Sequence, residues 1–344
     1  MKDFLIIRMS SLGDIIHTLP AFAALRKHFP QSVIRWVVDE KGTDVLDCVT
    51  GIDQVIPVRI REWKIFSARS WKEFSRFRRR ILNRRQTAID FQGLVKSGIC
   101  AYLSRAGKRM GFHKADLKEP PASLFYTDKL PRISGDLHVI GKNLKLLTLL
   151  GIEETAYEFP IVLEKTVRAS TRKKIADLGH PENKKLVVLN TGAAWETKRW
   201  PSERWISLVR MLRQDRPGLF MVLLWGNETE KTEAGRIQKE TGIPMLPFLT
   251  VKEVMALTEA ADLLVSGDTF ALQAACAFSR PVVGLFGPTD PRRNGPFRDR
   301  DKVAFHEMEC SQCYKKTCSR QTCLEKITPD EVAGLCLDSL RADE

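Results

Sequence analysis

The chain has 344 residues, 43% hydrophobic and 28% charged, with 55 Lys and Arg against 42 Asp and Glu for a formal charge of +13. That length accommodates two α/β domains with separate cores, and that balance excludes a disordered or fibrous chain. No apolar run approaches the roughly 18 residues of a membrane span, and the short apolar stretch between Asp3 and Arg8 is too brief for a signal peptide, so a cytoplasmic protein is expected.

Phe4-Leu5-Ile6-Ile7 reads as a buried strand, Ser10 to Asp14 as a tight polar turn, and the run from Ile15 to Leu25 as a helix continuing to about residue 28. Strand, turn and helix form the first half of a βαβ unit, and ligands of open α/β sheets bind beyond the carboxyl ends of the strands. Asp14 stands at that place as a candidate general base, with a helix-capping role as the alternative. Strands are expected near 33–38, 55–58 and 87–91, with a helix over 68–84. Between Arg59 and Arg85 lie 11 Arg or Lys residues against Glu62 and Glu73, interleaved with Trp63, Phe66, Trp71, Phe74 and Phe77. Such a stretch suits an anionic partner or, failing that, a solvated helix face. It carries no recognised nucleic-acid motif, so no nucleic acid is expected.

A helical stretch over 136–150 ends at Gly151, and the basic segment 164–184 reads as a linker containing a helix. A second α/β series follows, with strands at 186–190, 219–225, 261–266 and 281–286 and a helix over 203–213. Three loops follow strands at one edge of this half: Thr191 to Pro201 with Lys198, Ser266 to Gln273 where a helix begins near Thr269, and Gly284 to Pro291. A lysine and a helix N-terminus suit a nucleotide diphosphate, although Asp268 or Thr269 also fits a cap. Cys310, Cys313, Cys318 and Cys323 follow a C-x2-C-x4-C-x4-C spacing, compact enough for a structural metal clip but matching no standard zinc pattern closely.

From residue 1 to about 330 the chain resembles the heptosyltransferases of the lipopolysaccharide inner core, most closely the heptosyltransferase I type. The resemblance rests on Ser10-Ser11-Leu12-Gly13-Asp14-Ile15-Ile16-His17-Thr18-Leu19-Pro20, Trp36 to Glu40, Asp90-Phe91-Gln92-Gly93-Leu94-Val95-Lys96-Ser97 and Glu119 to Tyr126. It continues in Lys198-Arg199-Trp200-Pro201, Trp225-Gly226 and Gly287-Pro288-Thr289-Asp290-Pro291. It implies an α/β protein of GT-B fold, with two Rossmann-like domains whose parallel sheets face each other across a cleft. The expected domains are 1–165 for the acceptor, 166–327 for the donor, and 328–344 as a helix crossing back to the first domain.

The implied reaction is inverting transfer of heptose from ADP-heptose to Kdo of Kdo2-lipid A, in peripheral contact with the cytoplasmic face of the inner membrane. By this likeness Asp14 is the base and Lys198 stabilises the departing ADP. Thr191 lies in the phosphate loop, Glu230 holds the adenosine ribose, and Asp268 and Thr269 begin the donor motif. Arg59, Arg61 and Lys64 are implied to grip the acceptor, with Lys96 and the 108–118 loop as further candidates. No cofactor and no catalytic metal are expected, since Lys198 and a helix dipole can carry the leaving-group charge. The family's donor motif Asp-Thr-Gly-x-x-His reads here Asp268-Thr269-Phe270-Ala271-Leu272-Gln273, so a ring and an uncharged amide replace Gly and His. The alternatives are another nucleotide sugar as donor, or a catalytically silent lipopolysaccharide-binding relative.

Overall fold

Runs in which every residue is apolar form strands buried on both faces, because successive side chains point to opposite sides of a sheet that helices cover twice. The computed structural model describes residues 2–59, 68–133, 135–181 and 183–341, without the side chains of 68–73. It divides into two units, Met1–Val162 and Leu163–Glu344.

The first unit holds a sheet of β1 (Asp3–Ile7), β2 (Ile34–Asp39), β3 (Gln54–Val58), β4 (Gln86–Asp90), β5 (Lys108–Gly111) and β6 (Asp128–Lys129). The order is β3-β2-β1-β4-β5-β6, every pair parallel. Leu5, Ile7, Val37, Ile56 and Ala88 enter one core with Phe77 and Ile81 of the helix Ala68–Ile81. The anticipated N-terminal helix is two, Leu12–Ile16 and Leu19–His28, with Pro20 in the first turn of the second, where a missing N–H costs nothing. Strand order reverses between β1 and β4, so the crevice for a ligand lies beyond Ile7 and Asp90.

The second unit carries β7 (Leu186–Asn190), β8 (Phe220–Leu224), β9 (Leu263–Gly267), β10 (Val282–Phe286) and β11 (Lys302–Phe305) in the all-parallel order β11-β10-β9-β7-β8. Its switch point is between β7 and β9. Alternation within β7 is plain: Val187 and Leu189 join the core under the helix Ser202–Asp215, whereas Leu186 and Val188 join the core under Val251–Ala260 and Phe270–Ala277.

One boundary needs correction. The segment 164–184 is not a linker: its helix, Lys165–Ala176, buries Thr171 and Ile175 in the second unit, and Arg168 forms a two-pronged pair with Glu259. The final helix is Pro329–Arg341. Its stripe of Val332, Ala333, Cys336 and Leu340 is consumed in the second unit's own core, against β9, β10, β11 and Ser202–Asp215.

Candidate active site

At the switch point of the first sheet, β1 runs into Arg8, whose side chain is buried, and a buried guanidinium requires a carboxylate. Asp14 supplies it: Arg8 Nη2 stands 2.6 Å from Asp14 Oδ1. The other oxygen, Oδ2, accepts from the Ser11 amide at 3.0 Å and the Ser11 hydroxyl at 2.9 Å. Asp14 therefore does close the first turn of its helix, as the capping reading holds, but it is also half of an ion pair. Burial alone pushes its carboxyl up. Arg8, the nearby His17 and the two Ser11 bonds more than offset that, and hold it below the ordinary aspartate value.

The strand beside it braces this loop. Asp90, fully buried at the end of β4, accepts from Ser97 Oγ and the Tyr126 hydroxyl, each at 2.7 Å, and from the Gln92 and Gly93 amides at 2.9 and 3.1 Å. Burial nevertheless pushes its carboxyl up. The turn so fixed presents Gln92 Oε1 to the amides of Met9 and Ser10 at 2.8 and 3.1 Å. Asp90 thus positions the Asp14 loop through Gln92.

Among the expected acceptor residues, Lys96 lies in the first turn of the helix Val95–Leu103, beyond the same end of β4. Arg59 follows β3, its Nε 2.6 Å from Glu40 Oε2 and its Nη2 against the other oxygen. Arg61 and Lys64 lie outside the described residues.

The switch point of the second sheet is built around Lys198. Its Nζ is 2.6 Å from Asp268 Oδ2, 3.1 Å from the Asp268 carbonyl and 4.4 Å from the centre of the Trp195 ring. Gly267 permits this approach, since a Cβ there would stand 2.7 Å from the Lys198 carbonyl oxygen. Thr269 precedes the helix Phe270–Ala277, and its Oγ1 accepts from Asn190 Nδ2 at 3.0 Å. Thr191 Oγ1, beyond β7, is buried with no hydrogen-bond partner, as is Thr289 Oγ1 beyond β10. Glu230 is buried, with Oε2 accepting from the Gly226 amide at 2.7 Å and Oε1 from Asn227 Nδ2 at 2.6 Å. The Thr191 loop presses on it at Gly192, where a Cβ would fall 2.2 Å from Glu230 Oε2. A pocket of about 630 Å³ opens alongside, lined by Trp225, Lys231, Leu246 and Phe248 among others.

Thr191, Lys198, Asp268 and Thr269 are thus gathered around the ends of β7 and β9, and Glu230 contacts the Thr191 loop. Gln273 is different: it is buried, and its Nε2 donates to the Asn294 carbonyl at 2.7 Å, bracing the helix against the loop after β10. Sequence reasoning overlooked Arg8, whose signal was a charge directly after an apolar strand. It also overlooked Asn190, Thr289 and the Asp90–Gln92 brace, for which spacing offers no signal.

Residues 74–324 match the model of Glycosyltransferase family 9 (heptosyltransferase). The chain is 31% identical over 324 residues to lipopolysaccharide heptosyltransferase 1 of Pseudomonas aeruginosa, covering 92% of this chain and 87% of that one. It is 30% identical to the protein of that name from Escherichia coli K12, covering 87% and 92%. The structure is similar to that of the E. coli heptosyltransferase WaaC with ADP-2-deoxy-2-fluoro heptose, with a TM-score of 0.77 and 26% identity over 98% of this chain and 99% of that chain. The α/β architecture is accordingly the GT-B fold, and the chain belongs to glycosyltransferase family 9, the heptosyltransferases, as an enzyme of that family.

Proposed function

We propose that the protein transfers heptose from ADP-heptose, with inversion, to Kdo of Kdo2-lipid A during synthesis of the lipopolysaccharide inner core, at the cytoplasmic face of the inner membrane. The observation that carries this reading is the contrast between the two switch points, one offering a half-buried carboxylate and the other a lysine beside a helix N-terminus. A single displacement needs a base at the acceptor and positive charge at the leaving group. The likeness to a chain crystallised with an ADP-heptose analogue supports the donor half.

In this mechanism the acceptor hydroxyl oxygen attacks the anomeric carbon as the bond to the ADP phosphate oxygen breaks. The hydroxyl proton passes to Asp14, and the electron pair of the broken bond leaves with ADP. Because Arg8 and Ser11 make Asp14 a weak base, transfer of the proton runs late, after the forming C–O bond has acidified the hydroxyl. Lys198, the unpaired Thr191 hydroxyl and the N-terminal amides of Phe270–Ala277 take the diphosphate. Glu230 accepts from the ribose, and the Trp225–Phe248 ring pair, centroids 5.8 Å apart, flanks the pocket for the base. The acceptor's phosphates and Kdo carboxylates meet Arg59, Arg61, Lys64 and Lys96.

Single-turnover transfer from ADP-heptose to Kdo2-lipid A by wild type and Asp14→Asn tests the reading. Transfer by the wild type and its loss in the variant support both donor and base. Transfer only from another nucleotide sugar would reassign the donor to one read by Phe270, and inertness with every donor would make the protein a binding relative.

A further inference from the structure

We propose that Cys310, Cys313, Cys318 and Cys323 form a thiolate site for one tetrahedral metal ion of the zinc class, which clips the segment 308–323 onto the loop that carries Lys198. The spacing alone permits such a site, and the fold adds three observations. First, three of the cysteines are gathered on one turn. The Gln312 amide donates to the Gly287 carbonyl at 2.9 Å and the Tyr314 amide to the Pro288 carbonyl at 2.8 Å, which seats the Cys310–Cys313 pair on the turn after β10. Cys323 reaches the same turn from the other side, its Sγ lying 2.7 Å from where a Cβ on Gly287 would stand.

Second, the backbone turns between each successive pair of these cysteines. Gln312, Tyr314 and Gln321, none of them glycine, adopt φ of 55°, 53° and 45°. The amides of Arg320 and Gln321 donate to the Cys318 sulfur. Cys310 and Cys313 face Cys323, and a cation among three such sulfurs offsets the repulsion between their thiolates. None of the eight cysteines is in a disulfide. Among the described residues no three His, Cys, Asp or Glu side chains are already closed around one point, so binding draws the thiols together and releases their protons.

Third, the segment touches the lysine loop at three successive residues. Lys316 Nζ lies 5.8 Å from the centre of the Trp195 ring, the ring that Lys198 also covers. Gln321 Nε2 donates to Glu196 Oε1 at 3.3 Å, and Thr197 Oγ1 donates to the Lys315 carbonyl at 2.7 Å. Fixing the four sulfurs therefore fixes the register of residues 195–198. This second step rests on the reading of that loop as donor-binding; the metal site itself does not.

The test begins with metal analysis of the protein purified without chelator and without oxygen, and with Co²⁺ titration of metal-stripped protein. About one equivalent of zinc or iron per chain, a cobalt–thiolate charge-transfer band saturating at about one equivalent, and loss of both in Cys318→Ser are expected. Cys318 is exposed, so that variant keeps its core, and the cobalt titration of the wild type needs no variant. Absence of bound metal together with no charge-transfer band overturns the site. ADP is then titrated into loaded and stripped protein. A several-fold weaker affinity in the stripped form supports the clip, whereas equal affinities overturn the coupling to the lysine loop. Absence of ADP binding in both forms would instead count against the proposed donor.

Discussion

The two switch points are built as mirror images in charge. Each holds one short ion pair at 2.6 Å, Arg8–Asp14 in the first unit and Lys198–Asp268 in the second. In the first the carboxylate is the accessible member, its side chain 30% exposed against 8% for Arg8. In the second both members are largely covered, at 14% and 11%. On the proposed reading a base must reach a proton that arrives with the acceptor, which accords with its partner being the one buried. A cation that receives phosphate does best when desolvated, because its field is then least screened. Each acting group is thus held by a partner of opposite sign, and neither pair member is left as a lone buried charge.

Removing the acting groups breaks this comparison most severely. Asp14→Asn keeps the Ser11 contacts in shape but has no basic oxygen, and kcat is expected to fall by about 10²- to 10⁴-fold, the usual worth of a general base. Lys198→Met removes leaving-group charge, with an expected loss of about 10²- to 10³-fold in kcat. Single-turnover rates at saturating donor and acceptor check both. A more telling contrast is donor leaving ability: Lys198→Met should be partly rescued by a sugar with a better leaving group, and Asp14→Asn should not.

Removing a holder sharpens the comparison. In the wild type Asp14 stays ionised through the neutral range, and the acid limb of kcat/KM falls below the ordinary aspartate pKa of about 4. Its depressed carboxyl contributes stability above that value, which is lost as pH falls through the lower folded pKa. Arg8→Met leaves burial opposed only by His17 and Ser11, so the acid limb moves to higher pH and activity recovers as pH is raised. A loss independent of pH would mean that Arg8 only packs the loop.

Much of this was legible beforehand where burial dictated sequence. β1, β7 and β10 are largely apolar runs of strand length, β2 and β4 carry shorter apolar stretches between polar residues, and turns with Ser, Gly or Asp follow them. β5, β6 and β11 were not legible: the first opens with Lys108-Arg109, the second has two residues, and the third follows a charged loop. Lys198 could be named from its motif, but not its pairing with Asp268, since 70 positions separate them and only the β7–β9 adjacency joins them. The replacement of the family histidine by Gln273 suggested an altered donor contact. The fold also gives that amide a neighbouring carbonyl, Asn294, which no spacing announces. The last helix carries an apolar stripe, which says that it packs, not where.

The brace behind Asp14 has no counterpart of the same kind in the lysine loop, and its loss should be milder than that of either ion pair. Tyr126→Phe removes one of the hydrogen bonds that hold buried Asp90. A cost of about 1–3 kcal/mol in stability is expected for the under-bonded carboxylate, read as a lower Tm. Activity of the folded fraction should drop by less than about tenfold, since a modest loosening of the Gln92 turn costs about one kcal/mol at the base. An unchanged Tm would show that water replaces the phenol.

The smallest effect tests the acceptor side. Arg59 is held by Glu40, both side chains half-exposed, and Glu40 is drawn below the usual carboxylate range by that bond. An anionic acceptor must compete with Glu40 for the guanidinium. Glu40→Gln keeps the shape but removes the competing charge, so KM for Kdo2-lipid A should fall a few-fold at low ionic strength while kcat holds. Because the pair is exposed, that gain should vanish in high salt, where screening at about 8–10 Å and below masks one charge among many. If Arg59 serves only to fasten the end of β3 to the residues after β2, KM will instead stay level at every salt concentration. The basic character of the acceptor site must then come from Lys96 and from residues beyond Arg59.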